Sequence, residues 1–427
     1  MNGNTFSARG FLVWTICALF FLYEFFLRTV VGTYQYQIME DLNLSSFHFS
    51  LLGTTIFLLT YGAMQIPAGL CADNIGLKKT LLIGTLICTL SSFGFASAYS
   101  YPVAAFYRLL MGFGASCGFI CLLISVHDWM PSNYRGIFIG LSQLIGTLGP
   151  MAAAGPLAKL SESSGINWRF VFFCLGFIGI LLAILTFFFV KNNQQKIEKY
   201  TILYKSEKIL TSISKLFSRI QPWYIALFSA FSYFTVEYLS ANEGRAFLAL
   251  KGINIGTASY MITISWIGYA LGCPLLGFLS DIFKRRKIVM IISSVLGLIA
   301  ILIILYQSNK QLLQIGFFIL GLGAAGQSVG FAIVGEQFKK QSIAVGLGLN
   351  NMMITAFSAI DAPILGFSLD FLRQGAFSSL NEYLIVFSEL IVLAFIALIL
   401  SVFFIKETFC KSAVDFTYLK VKKLELN

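Results

Sequence analysis

One polar phrase occurs twice in this chain, 208 positions apart. The first copy is G-L-C-A-D-N-I-G-L-K-K, residues 69–79; the second is G-F-L-S-D-I-F-K-R-R-K, residues 277–287. Gly69, Asp73 and Lys79 fall in register with Gly277, Asp281 and Lys287. Each copy closes one long apolar stretch and opens the next, so it reads as a short hairpin between two hydrophobic helices. A duplicated hairpin of this kind restricts the chain to a membrane protein built from two related halves.

The apolar stretches support that reading. The chain is 57% hydrophobic and 11% charged, with mean hydropathy +0.81. A soluble chain of this length carries about twice that charge. Runs of roughly 20 apolar residues cross a ~30 Å hydrocarbon core as helices. Such runs fall at 11–33, 49–70, 80–98, 102–126, 136–157, 168–190, 223–247, 258–279, 287–306, 312–335, 343–367 and 383–405. The expected fold is all-α, with twelve transmembrane helices in two pseudo-symmetric six-helix bundles. Residues 1–190 form the first bundle, 191–222 a cytoplasmic linker, 223–405 the second bundle and 406–427 a cytoplasmic tail.

The net charge of +11 could suit nucleic acid, but its distribution points to a bilayer. Of 30 Lys and Arg, 22 fall in segments on the side of the N-terminus, five in the opposite loops and three within spans. The positive-inside rule then places both termini in the cytoplasm and excludes nucleic acid as a partner. The first apolar segment is long and interrupted by Glu24 and Arg28, so it reads as a span and not a cleavable signal. The eight cysteines form no C-x-x-C pair, and His48 and His127 sit at opposite ends of helices. Neither a metal nor another cofactor is expected.

The paired hairpins resemble the signature of the major facilitator superfamily, G-x-x-x-D-x-x-G-x-[KR]-[KR]. The fourth apolar run adds Arg108-x-x-x-Gly112-x-Gly114-Ala115, which is similar to that family's fourth-helix motif. The fifth, Gly146-Thr-Leu-Gly149-Pro150, partly resembles its antiporter motif. Three positions depart from the pattern: Asn74 follows the acid, Lys284 replaces the second glycine of the later copy, and Met151-Ala follows Pro150. The resemblance implies a monomeric secondary transporter in a bacterial inner membrane that alternates access around a central site. It assigns gating to Gly69, Asp73, Gly76, Lys78, Lys79, Gly277, Asp281, Arg285 and Arg286. A carboxylate beside basic groups and helix termini makes contacts that hold one state and break in the other. Gly321-Leu-Gly323-Ala-Ala-Gly326 fits a dinucleotide fingerprint but lies inside an apolar helix, so it reads as helix packing.

Ionisable groups within spans cost about 2.5–3.5 kcal/mol at mid-helix and face a cavity or a partner. Glu24, Arg28, Arg108 and Glu237 are the candidates here. At ~1.5 Å per residue, Glu24, Arg108 and Glu237 each lie roughly 20 Å from the inner face, in one layer. Glu24 and Arg28 share a helix face, which leaves a local ion pair open as the alternative. At the repeat offsets Glu24 matches Ser232, and Arg108 matches Phe317, so scaffold symmetry does not account for these charges. An arginine keeps its proton and suits an anion; a partly desolvated carboxyl carries a proton. Tyr61 and Tyr269, at equivalent positions, join the candidate site.

No catalytic motif is visible and the loops are short, so the chain is not read as an enzyme. The expected function is proton-coupled symport of a zwitterionic or anionic solute such as an amino acid or short peptide. Glu24-x-x-x-Arg28 followed by Tyr34-x-Tyr36 faintly echoes the first-helix motif of proton-coupled peptide transporters. The alternatives are a carboxylate or organophosphate transporter or antiporter, drug efflux and, most distantly, a non-transporting membrane sensor.

Overall fold

The structure is a computed structural model; it describes residues 7–130, 135–192, 219–337, 343–373 and 378–410. Among these residues every regular element is helical. Ten helices are long and apolar enough to cross a membrane. They are span 1 (Ala8–Thr33), spans 3 to 6 (Leu77–Ala96, Tyr101–Val126, Phe138–Ser164, Trp168–Phe189) and spans 8 to 12 (Ile255–Phe283, Arg286–Tyr306, Lys310–Gln337, Gly346–Leu372, Leu380–Phe404). The other two of the expected twelve are less regular. Span 2 starts at Ser46–Ser50, widens into a π-helical turn at Leu51–Thr55, and continues as Ile56–Ala63 and Gln65–Ile75. Span 7, Ile220–Ala241, is one continuous helix whose apolar sequence is broken by Ser229, Ser232, Thr235, Glu237 and Ser240.

Local chemistry sets the ends. Ser7 caps span 1 by accepting from the Gly10 amide, and Asn167 caps span 6 through the Phe170 amide. Large apolar side chains such as Leu90, Phe177, Phe188, Phe278 and Phe371 are exposed, as a bilayer solvent permits.

Two compact units emerge. The first joins Met1–Lys205 with Glu237–Trp266 and Ser358–Val386. It thus holds spans 1 to 6 with the non-hairpin ends of spans 7, 8, 11 and 12. In it Gly84 and Gly114 let spans 3 and 4 touch: a Cβ on Gly84 would stand 2.8 Å from the Gly114 carbonyl. The second unit joins Ser206–Val236, Ile267–Phe357 and Phe387–Asn427. Here Gly323 packs on Gly297, where a Cβ would stand 2.6 Å from the Gly297 amide nitrogen. The G-x-G-x-x-G of span 10 therefore does serve helix packing. The expected linker lies mostly outside the described residues, as do residues 411–427 of the expected tail.

Candidate functional site

Arg28, on span 1, reaches Glu237 at the non-hairpin end of span 7, both within the first unit. Its Nε donates to Glu237 Oε1 at 2.6 Å, and its Nη2 donates to the same oxygen. The second oxygen, Oε2, accepts from Ser358 Oγ of span 11 at 2.9 Å. Three spans thus meet at one carboxylate. The Arg28 side chain keeps 11% of its surface exposed against 3% for Glu237. A buried pair contributes little net stability, because desolvation offsets the attraction; removing one partner is costly. Such a pair is suited to exchange of partners.

Glu24 lies one turn back on span 1 and faces span 4. Its Cγ and Oε1 lie 3.1 and 3.5 Å from where a Gly118 Cβ would stand. Its Oε2 is buried with no hydrogen-bond partner among the described residues. Glycine at 118 makes the room that this acid fills.

Arg108 has a different task. Fully buried on span 4, it donates from Nε to Leu52 O (3.2 Å), from Nη1 to Leu27 O (2.8 Å), and from Nη2 to Arg28 O and Gly53 O (2.8 Å each). Its guanidinium also lies over the Phe57 ring at 4.5 Å. The π-helical turn at Leu51–Thr55 shifts the pairing of its own carbonyls. Leu52 and Gly53 therefore find their donor in Arg108.

Tyr61 is buried and stacks on Phe57, with centroids 6.2 Å apart. Tyr269, in the second unit, accepts a hydrogen bond from Gln327 Nε2, and Tyr233 meets its ring edge-on at 5.6 Å.

The hairpin residues divide by unit. In the first copy Gly76 has φ +87°, a conformation glycine adopts freely, and Asn192 packs on it. Asn192, just past span 6, accepts from the Lys78 amide at 2.9 Å and so caps span 3. The Lys78 ammonium lies 4.9 Å over the Phe187 ring, and Lys79 is exposed. Among the described residues, and apart from its own helix, nothing lies within 4 Å of a Cβ placed on Gly69 or Gly277. The Asp73 side chain lies outside the described residues.

The second copy is more heavily charged. Arg286 binds Asp281 at 2.7 Å and Glu336 of span 10 at 2.8 and 3.0 Å. Glu407, just past span 12, accepts from the Arg286 and Lys287 amides at 2.9 Å each. Arg285 lies 6.0 Å over the Phe409 ring. Lys284, where the first copy has Gly76, holds φ +51°, a left-handed backbone that is strained for a side chain with a Cβ.

At the non-hairpin end of the first unit, a polar network ties the segments together. Arg245 donates to Ser259 Oγ, Ser240 O and Thr33 Oγ1 at 3.0, 2.8 and 2.9 Å. Asp370 of span 11 accepts from the Ser46 and Phe47 amides at 3.2 and 2.8 Å and thereby caps span 2. Ser358, Glu336, Glu407, Asn192 and Asp370 were not singled out from sequence. The signal for Asn192 and Glu407 was their shared place just after the last span of each half.

Fold and site define a polytopic membrane protein with a charge pair buried among its spans. The sequence profile of the Major Facilitator Superfamily matches residues 16–250 and 237–413. The chain belongs to that superfamily and is a secondary transporter of its type. It is 25% identical over 380 residues to the hexuronate transporter of Bacillus subtilis (strain 168), covering 84% of this chain and 88% of that one. To the probable sulfoacetate transporter SauU of Cupriavidus necator it is 26% identical over 298 residues, covering 65% and 66%. Among solved structures, the fold matches a bacterial homologue of the human lysosomal transporter Spinster, in an inward-facing, unoccupied conformation. The TM-score is 0.75, with 16% identity and coverage of 93% and 98%.

Proposed function

We propose that this chain moves a small carboxylate-bearing organic anion together with protons. The pairing of Arg28 with Glu237 carries the reading, because a carboxylate already occupies the donors that a solute carboxylate would take. Both ligands are acids of the same geometry, so they compete for one guanidinium. Protonation of Glu237 cancels its charge and tips the competition towards the solute. Ser358 holds the displaced carboxyl through its other oxygen. Glu24, with one buried oxygen unpartnered among the described residues, is the second proton carrier. Uptake should therefore rise as the pH on the side of entry falls.

The named relatives handle hexuronate and sulfoacetate, both organic anions, and they favour the organic-anion alternative over an amino acid or short peptide. Arg108 acts in this scheme as a scaffold tie, since four backbone carbonyls occupy its donors. The hairpins serve as gates on the cytoplasmic side, with both termini there, in a bacterial inner membrane. A monomer suffices for the mechanism.

The test is uptake by proteoliposomes under an inward proton gradient, offering labelled uronates, short carboxylates, amino acids and dipeptides. Accumulation of an acid that collapses with a protonophore supports the reading. Accumulation of amino acids or dipeptides alone would overturn it. Exchange against preloaded anion without proton dependence would favour antiport, to which the Gly146–Pro150 segment gives some support.

A further inference from the structure

The non-hairpin end of the first unit holds a carboxylate that the charge pair does not use. Span 7 ends at Ala241, and the chain turns through Asn242 and Glu243 before it resumes as the helix Gly244–Leu250. Glu243 is 1% exposed. Its Oε2 accepts from the Tyr383 hydroxyl of span 12 at 2.7 Å, while its Oε1 is buried with no hydrogen-bond partner among the described residues. No basic side chain among those residues pairs with it. Arg245, two positions on, spends its donors on Ser259, Ser240 and Thr33. A buried charge without a partner is costly.

Other oxygens gather around this one. Gln35 and Ser46 approach the Glu243 carboxylate, yet neither completes a bond to Oε1. Buried Gln35 gives its Nε2 to Met39 Sδ at 3.8 Å and leaves Oε1 unpartnered among the described residues. Fully buried Asn242 donates from Nδ2 to Thr54 Oγ1 at 2.8 Å and leaves Oδ1 in the same condition. A Cβ on Gly53 would stand 3.6 Å from the Ala241 carbonyl oxygen and 3.8 Å from Asn242 Oδ1, so both oxygens face span 2 at one point. Ser50 is fully buried, and its Oγ is also without a partner among the described residues. It lies one turn from Ser46 and one turn from Thr54 along span 2. The contacts therefore run in a ring: from Glu243 to Ser46, along span 2 past Ser50 to Thr54, and back through Asn242. Buried polar atoms are nearly always bonded, and four unpartnered oxygens in one ring call for a ligand.

We infer that this ring is a binding site for a monovalent alkali cation, held by the Glu243 carboxylate, the Asn242 and Gln35 carboxamide oxygens and the Ser50 hydroxyl. The end of a broken membrane helix is a place where oxygens can replace the water of such an ion. A proton on Glu243 would supply one donor for four oxygens. A buried water would supply two and leave the charge of the carboxylate in place. Ca2+ takes several carboxylates and Mg2+ keeps its waters, whereas this buried ring offers one carboxylate. Asp370, the other acid that acts on Glu243, is committed to the Ser46 and Phe47 amides. The bound ion ties span 2, the end of span 7 and the segment Gln35–Leu42 together, all within the first unit. The site does not depend on the organic-anion reading above.

The experiment uses purified full-length protein at fixed pH and ionic strength. Melting temperature is read in choline, sodium and potassium chloride, and binding of radiolabelled Na+ and Rb+ (the latter in place of K+) is read directly. Wild type, Glu243→Gln and Ser50→Ala are compared. The inference expects a saturable rise of the wild-type melting temperature in sodium or potassium over choline, matched by binding of the corresponding label. Glu243→Gln should abolish both signals. Its melting temperature in choline should hold or rise, since an unpaired buried charge is gone. Ser50→Ala should weaken cation binding severalfold with its melting temperature in choline unchanged, because its hydroxyl has no bond to lose; it decides alone if Glu243→Gln fails to fold. The inference is overturned if wild type melts alike in all three salts and binds neither label, or if either variant, once folded, keeps wild-type cation affinity. It is overturned too if Ca2+ or Mg2+ displaces the label at lower concentration than the alkali ions do. Organic-anion uptake is read separately, so none of these results decides it.

Discussion

Positions related by the internal repeat carry opposite chemistry in the two halves. In the first, span 1 supplies Glu24 and span 4 supplies Gly118, so the acid fills the space a side chain would take. In the second, the matching positions are Ser232 and Gln327: the small residue is now on span 7 and the long polar one on span 10. Tyr61 and Tyr269 match, and their described partners differ: Tyr61 stacks on Phe57, while Tyr269 accepts from the Gln327 amide. Arg108 corresponds to Phe317, a buried aromatic. The duplicated scaffold therefore tolerates exchange at these sites. Among the described residues, the buried charges lie in the first unit, whereas the charges of the second unit gather at its hairpin.

The largest expected effect comes from Arg108→Ala. It deletes four buried charge-assisted donor bonds to backbone carbonyls, at about 1.5–3 kcal/mol each, and empties the space the side chain fills. Protein yield and melting temperature should collapse together, read by fluorescence-detected gel filtration; a stable, inactive variant would instead return Arg108 to the binding site. Arg28→Ala comes next. Uptake per folded molecule should fall at least about a hundredfold, beyond the stability lost when Glu237 is left unpaired, since the loss is of the anion ligand. Wild-type uptake in that variant would break the account of the charge pair.

Glu24→Gln sharpens the contrast between halves by giving the first the neutral chemistry of the second. It should retain solute exchange while proton-driven accumulation drops severalfold, measured with and without a pH gradient. Loss of exchange as well would make Glu24 a scaffold residue. The smallest effect concerns the hairpins. Glu407→Gln should lower stability, and Asn192→Asp raise it, each by about 0.3–1 kcal/mol, because a negative charge at a helix N-terminus is favourable. Melting curves at low and high salt check this, and the shifts should shrink with salt.

The fold was legible because the hairpin repeat and the apolar runs are strong, local signals. Glu24, Arg28, Arg108 and Glu237 were legible as anomalies, since charge inside a span needs a reason. Their partners were not. Arg28 lies 209 residues from Glu237, and pairing at that distance leaves no trace in spacing. Arg108 looked like an anion ligand because the π-helical turn that redirects the Leu52 and Gly53 carbonyls has no sequence signature of its own. Ser358, Gln327 and Asn350 were missed because neutral polar residues are common in membrane helices; the bond to Glu237 sets Ser358 apart, and buried atoms without partners among the described residues set Gln327 and Asn350 apart.

Proteoliposome uptake of labelled glucuronate under an inward proton gradient, with wild type beside Arg28→Ala and Glu24→Gln, tests the central claim most directly. The account predicts protonophore-sensitive accumulation by wild type, none by Arg28→Ala, and downhill exchange alone by Glu24→Gln. Undiminished, proton-driven accumulation by both variants would contradict it.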